Sequence, residues 1–493
     1  MKLISLLVTI ALASTASATN VIFIMADDLG YMDVGFNNPD TFYDTPSLNS
    51  LARESMIFTD GYAASPVCSP TRSSIMTGQY PARTRNTDYF GGPNGFDHEL
   101  PADLTDLSQM KFKWMGKRPV LPAPYIQSLD HDHITLAEYF QARGYATMHA
   151  GKWHLGDKGS WPKDHGFDIN KGGVRGGGPY TGDQYFSPYD NPNLSDGPKG
   201  EHLPDRLATE VAGFITENKD QPFFVYLPFY SVHTPLMAPD DLVEKYEAKR
   251  ERLGLEPAFE PEFPRENRTV QEHAIYAGMV EAMDSAVGKV MQAVEANGLK
   301  EDTIVVFFSD NGGLSTSEGS PTSNLPYRAG KGWAYEGGVR EPTLVSWPGN
   351  IVTGTNSTPI ISTDFYPTLL ELCGLDPIPW QHKDGTSFAE ILKDPEAEFN
   401  REPLFWHYPH WGNQGGIPYS AIREGDWKLI KFYYKKGIEL YNLARDPKEQ
   451  YNLAEQQPHL VKTLSSKLEA KLKETDAILP IVNPNPKKDF KKW

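Results

Sequence analysis

Cys68-Ser69-Pro70-Thr71-Arg72 puts a thiol, a proline and a guanidinium within five residues. Proline has no N–H to lose and suits the first turn of a helix. Thr71–Thr77 can then continue helically as far as Gly78. Cys68 would stand at the helix N-terminus, where free N–H groups and the dipole favour an anion. Arg72, about one turn later, can point back to the same place. The plainer alternative is a small buried cysteine ahead of a capped helix. A second set is Asp27-Asp28 and Asp310-Asn311. These side chains offer oxygen, never sulfur or imidazole, which selects a hard cation, calcium or magnesium. Taken singly, each acid is as well explained as a cap or turn residue.

Position separates the two explanations. Asp27-Asp28 follow the apolar run Val21–Met25, and Asp310-Asn311 follow Thr303–Ser309. Lys152 and His154 follow Tyr145–His149, and His233 lies just past Phe223–Phe229. Short, bounded apolar runs read as buried strands. In open α/β sheets, ligands bind beyond the carboxyl ends of strands. Groups hundreds of residues apart are therefore predicted to meet in one crevice.

The elements that must hold them alternate. Helices are expected at Ser47–Ser55, Thr135–Arg143, 271–296 and Asp364–Cys373, with a further strand at Thr343–Trp347. This predicts an α/β fold, a large mostly parallel sheet sandwiched by helices. Beyond about residue 400 the texture changes to short strands at Pro403–His407, Tyr419–Arg423, Trp427–Tyr433 and Glu439–Tyr441, then a helix over 458–474. The expected division is 1–18 as a leader, 19–400 as the catalytic domain and 401–493 as a smaller C-terminal subdomain with an antiparallel sheet. Residues 87–130, with Lys111, Lys113, Lys117 and Arg118, and residues 160–200 read as loops at the rim of the site.

Hydrophobic residues make up 39% and charged residues 23% of 493, an ordinary globular balance. The net charge of -17 argues against nucleic acid and against loose binding to sulfated polymers. An anionic substrate needs a local cationic pocket working against that field. Residues 1–18 have the marks of a secretory signal peptide: Lys2, the apolar run Leu3–Ala13 and the small-residue site Ala16-Ser17-Ala18. The expected location is periplasmic or secreted. The run is too short to span a bilayer, no later segment is apolar enough for membrane insertion, and no cysteine follows it to carry a lipid. Two cysteines in an exported chain usually pair. Cys373, however, ends the apolar stretch Leu369-Leu370-Glu371-Leu372, unlike Cys68, and both are expected to stay unpaired.

With these residues in hand, the chain resembles the type I sulfatases of the alkaline phosphatase superfamily, in which the cysteine of Cys-x-Pro-x-Arg is oxidised to formylglycine. A second signature of that family is similar to Gly144-Tyr145-Ala146-Thr147-Met148-His149-Ala150-Gly151-Lys152-Trp153-His154. The resemblance extends to His233-Thr234-Pro235, Ser309-Asp310-Asn311-Gly312-Gly313, Arg328-Ala329-Gly330-Lys331 and Glu336-Gly337-Gly338-Val339-Arg340, so it spans most of residues 20–400. It implies that Cys68, as formylglycine, is nucleophile and metal ligand, and that Asp27, Asp28, Asp310 and Asn311 complete the shell of one calcium ion. It further implies that Arg72 braces position 68, that Lys152 and Lys331 hold sulfate oxygens, that His154 assists the formylglycine hydroxyls and that His233 serves the leaving group. The implied partners are a sulfated carbohydrate substrate and a formylglycine-generating maturation enzyme; a bacterial, polysaccharide-degrading branch suits an exported, aromatic-rich chain.

That chemistry suits these residue types. Sulfate esters need positive charge where oxygen charge grows in the transition state. A sugar alkoxide leaves only with a proton, for which His233 is the candidate acid. A serine nucleophile would stop as a stable ester; a hydrated aldehyde has a second hydroxyl with which to expel sulfate. Two other functions are open: a phosphate or phosphonate ester hydrolase of the same superfamily, and an inactive sulfated-glycan-binding protein. Lys158, Lys163, His165, Arg83 and Arg85 read as loop residues that could also face substrate. Trp406, His407, His410 and Trp411 are either a sugar-stacking loop or core of the C-terminal sheet.

Overall fold

The computed structural model describes residues 19–434 and 436–487; the leader expected at 1–18 lies outside them. Eight strands form the main sheet: β1 (Asn20–Ala26), β2 (Ser55–Phe58), β3 (Ala146–Ala150), β4 (Ile169–Lys171), β5 (Phe223–Pro228), β6 (Thr303–Ser309), β7 (Thr343–Ser346) and β8 (Gly354–Asn356). Their order is β8-β2-β7-β6-β1-β5-β3-β4. All run in one direction except β7, which is antiparallel to both β6 and β2.

Central β1 is buried along its whole length, as a strand covered on both faces must be. Its side chains alternate between two cores. Ile22, Ile24 and Ala26 face α1 (Pro46–Ala52), α4 (Leu203–Glu217) and α6 (Ala274–Ala296), with α5 (Asp240–Leu253) packed on α6. Val21, Phe23 and Met25 face α2 (Cys68–Thr77), α3 (Leu136–Gln141) and α7 (Phe365–Leu372). Register then sets the site. Ala26 lies opposite Ser309, and Met25 opposite Pro228, so β1, β6 and β5 end level.

The C-terminal sheet is an antiparallel meander of β9 (Leu404–Tyr408), β10 (Tyr419–Glu424), β11 (Trp427–Phe432) and β12 (Ile438–Asn442), backed by α8 (Pro458–Glu474). Its core is shared. Trp406, Leu429 and Leu464 pack in one cluster with Tyr62, Val67 and Tyr335.

Two expectations are corrected. The helix expected over Ser47–Ser55 stops at Ala52, and Ser55 opens β2. The apolar spacing of the helix runs straight into a four-residue strand, so periodicity hides the break. Strand β4 sits inside the stretch read as irregular over 160–200. Both thiols are free: Cys68 is buried, and Cys373 caps α7.

Candidate active site

All ten residues of α2 are buried, and Gly78, at φ +65°, closes the helix in the left-handed region where glycine is favoured. Cys68 is its first residue, after extended Val67. Burial pushes the Cys68 thiol up to about 11, against the pull of Lys152 and Lys331. It stays protonated at neutral pH and is a poor nucleophile as a thiol.

Asp27 and Asp28 leave the end of β1 fully buried, and Asp310 and Asn311 leave the end of β6. The four meet, as expected. Asn311 Nδ2 donates to Asp28 Oδ1 at 2.7 Å, and the Asp28 amide donates to Asp310 Oδ1 at 3.2 Å. Ligand atoms of Asp27, Asp28, Cys68 and His233 all lie within 4.8 Å of one another. Asp310 is not in that group; its Oδ2 accepts from Arg72 Nε at 2.8 Å. Arg72 also donates to the Lys152 carbonyl at 2.8 Å, so it ties the end of β6 to the loop after β3. Asp27 Oδ1 and Asn311 Oδ1 are buried without any hydrogen-bond partner. Unpaired oxygen aimed into an acidic cluster fits a hard cation.

The lysines reach the same place from other elements. Lys152, just past β3, sits 2.5 Å from Asp27. Lys331, in the loop after β6, sits 2.7 Å from Asp28. Burial and Asp310 raise the Asp27 carboxyl well above its usual range, although Lys152 opposes them. For Asp28 burial acts the same way, but Lys331, His233 and Lys152 outweigh it and hold the carboxyl down.

His233 Nε2 lies 3.8 Å from Asp28, and its Nδ1 faces the Thr234 carbonyl at 2.7 Å. Burial and Lys331 lower its pKa to about 3. It is neutral in the free cleft, with its proton on Nδ1; an anion beside Nε2 would favour the imidazolium that a general acid needs. His154, at φ +56°, places Nε2 3.0 Å from the Phe90 carbonyl. Burial and Lys152 hold it well below the usual histidine range.

Cys68, His154, His233 and Lys331 open on one cleft of about 280 Å³. The residue model of the Sulfatase family matches positions 19–375 of this chain. The chain belongs to the sulfatase family. A second match, over residues 329–477, is to the C-terminal region of N-sulphoglucosamine sulphohydrolase. This sulfatase is 31% identical to a sulfatase of Formosa agariphila, over 95% of this chain and 92% of that one. It is 30% identical to an ulvan-active sulfatase of the same organism, over 92% and 80%. Among solved structures, Ps i-CgsB is 28% identical with a TM-score of 0.73, covering 92% of this sulfatase and 93% of that chain. The chain is accordingly a sulfuric ester hydrolase.

Tyr89, Phe90 and Tyr180 also line the cleft, from the two stretches read as rim loops, and Glu318, Asn413 and Gln414 line it without any signal in the sequence. They come from loops without periodicity, and two of them from the C-terminal part. The loop cations do not join it. Arg83 pairs with Asp384 and Glu474, and Arg85 with Asp476. Lys158 and Lys163 are exposed, while His165 is buried against Ser160. Trp406, His407, His410 and Trp411 are buried, which resolves them as core.

Proposed function

We propose that this sulfatase desulfates a carbohydrate, with a formylglycine made from Cys68 and one calcium ion held by Asp27, Asp28, Asp310, Asn311 and position 68. One observation carries the reading: a buried Cys68 opens a helix onto a cleft shared with Lys331, His154 and His233, within 4.8 Å of the carboxylates Asp27 and Asp28 that pair with Lys152 and Lys331. A pairing argument supports the cation. Lys152, Lys331 and Arg72 are already engaged by Asp27, Asp28 and Asp310, so the cluster has no unpaired cation to offer an anion. A divalent cation bound there would supply positive charge and act as a Lewis acid toward a sulfate oxygen.

The chain's own residues do the remaining work. Lys331, which lines the cleft, and Lys152, paired with Asp27, would hold sulfate oxygens. Arg72 fixes Asp310 and the Lys152 backbone. His154 takes a proton from a hydroxyl at position 68, and His233 gives one to the leaving oxygen. Residues 1–18 act as a leader for export to the periplasm or medium, where a polysaccharide is met; maturation requires a formylglycine-generating enzyme. The ulvan-active relative, and Ps i-CgsB solved with k-i-k-neocarrahexaose, support a polysaccharide source for the substrate.

The test is turnover by matured protein on sulfated mono- and oligosaccharides, beside nitrophenyl sulfate and nitrophenyl phosphate. Release of sulfate from at least one saccharide is expected. Preference for the phosphate ester, with no saccharide desulfated, would overturn the reading.

A further inference from the structure

We propose that Glu318 makes the sugar subsite selective for a neutral ring, disfavouring substrates with a second anionic group next to the reacting ester. The inference rests on the sulfated-carbohydrate reading and narrows its substrate class.

Glu318 stands at the cleft mouth with φ +54°, in a conformation its side chain must be held to keep. Three neutral donors hold it. Gln414 Nε2 donates to Oε1 at 2.9 Å, and Asn413 Nδ2 donates to the same oxygen at 3.2 Å. Thr234 Oγ1, next to His233, donates to Oε2 at 3.3 Å. Among the described residues, Glu318 has no lysine or arginine within ion-pair distance. No direct ion pair neutralises it, although Lys331 and His233 feel its charge, and each oxygen keeps acceptor capacity for a further donor.

Tyr180 also lines the cleft, 58% exposed, its ring 6.3 Å from that of His233 in an edge-to-face contact. An aromatic ring beside amides and a carboxylate in one cleft is complementary to a polyhydroxylated ring, apolar on one face and rich in O–H donors at its edge. They are the wrong chemistry for a second sulfate. Lys331 is the one lysine or arginine among the described lining residues, and it already serves Asp28. Positive charge is thus confined to the cleft floor, while the mouth carries a fixed negative charge. A neutral sugar hydroxyl gains a charge-assisted hydrogen bond there. A vicinal sulfate or a uronate carboxylate meets like charge in a partly dehydrated space.

The experiment separates binding from turnover. In a Cys68→Ala background, calorimetry would measure Kd for methyl galactoside and glucoside monosulfates, and for the same hexosides with a vicinal second sulfate or a C6 carboxylate. The unaltered mouth should favour at least one monosulfate over its doubly anionic counterpart by about tenfold or more. Glu318→Gln should shrink that ratio by about tenfold, weakening the monosulfate and tightening the other. Glu318→Asp, which keeps the charge one methylene back, should keep discriminating even if Glu318→Gln fails to fold. Equal loss for both ligand sets would mark Glu318 as merely structural and overturn the proposal, as would tighter binding of the doubly anionic sugar or no binding at all. Turnover by matured protein is scored separately. Selective binding without hydrolysis sinks the hydrolase reading alone, and hydrolysis with unchanged selectivity sinks this one alone.

Discussion

Lys152 is held 2.5 Å from Asp27, and both side chains are fully buried. Removing one partner of a buried pair costs up to about 3–5 kcal/mol, and here Arg72 Nη2, 3.8 Å from Asp27, keeps part of the compensation. Lys152→Ala should therefore lower Tm as well as activity. Added calcium should then raise Tm more in Lys152→Ala than in the unaltered protein, since ligand binding to the native state alone is stabilising. Equal shifts in differential scanning fluorimetry would argue against calcium at these carboxylates. Asp88 tests charge burial away from the cluster. It accepts from Tyr408 Oη at 3.0 Å and the Tyr89 amide at 2.9 Å, and burial pushes its pKa up to about 8 from 3.8. A carboxyl whose folded pKa is raised stabilises the native state most below its unfolded pKa, and that contribution is lost as pH climbs through the folded value. Asp88→Asn mimics the neutral form. Its Tm relative to the parent should rise steadily between about pH 4 and pH 8; a flat difference would mean the carboxyl is not buried as a neutral acid.

At the scale of elements, strand ends do the positioning. β1 and β6 are parallel neighbours in level register, so their first loop residues meet without any special sequence between them. That much was legible, because apolar runs announce buried strands and chemistry-bearing residues follow them directly. Cys68 was legible through Pro70, which marks the first turn of α2. The reversed strand β7 was not, because the alternation of apolar residues carries no direction. Nor was Glu318, which is held in its loop by partners such as Gln414, far away in sequence. Gly312 shows the tightness at the strand end. Its N–H donates to the Gly338 carbonyl at 3.2 Å, and a Cβ there would collide with the Gly337 carbonyl. Gly312→Ala must part the Asp310–Gly312 turn from the Glu336–Val339 helix. It should cost sulfatase activity far more than about 1 kcal/mol of stability would explain. Retention of full kcat/KM would show that the two loops move independently of the site.

Over the whole molecule, we propose the division into a larger catalytic part up to about residue 400 and a smaller part beyond it as a division of labour, not of folding. Tyr62, Val67 and Tyr335 share a core with the C-terminal sheet, and Trp406 Nε1 donates to the Ala63 carbonyl at 2.8 Å. Buried ion pairs cross the same boundary, Arg423 to Asp60 at 2.6 Å and Lys428 to Glu336 at 2.9 Å. Asn413 and Gln414 reach from the second part into the cleft. A chain ending at residue 400 would expose that apolar surface and leave Asp60 and Glu336 sharing Arg340 as their remaining cation. It should be insoluble or lack a cooperative unfolding transition, and the full chain should unfold in one step. A soluble, cooperatively folding 19–400 fragment would contradict this.

The central claim is that Cys68 works only after conversion. The most direct measurement is the mass of the peptide containing Cys68, taken on several preparations with different exposure to a maturation enzyme, beside their sulfatase activity. The account predicts that activity per molecule rises in proportion to the fraction carrying the aldehyde or its hydrate. Cys68→Ala should fold without turnover, and Cys68→Ser should at most sulfate itself once and stall. Full activity in protein whose Cys68 is entirely thiol, or in Cys68→Ala, would contradict the account, since no other residue in the cleft serves as its nucleophile.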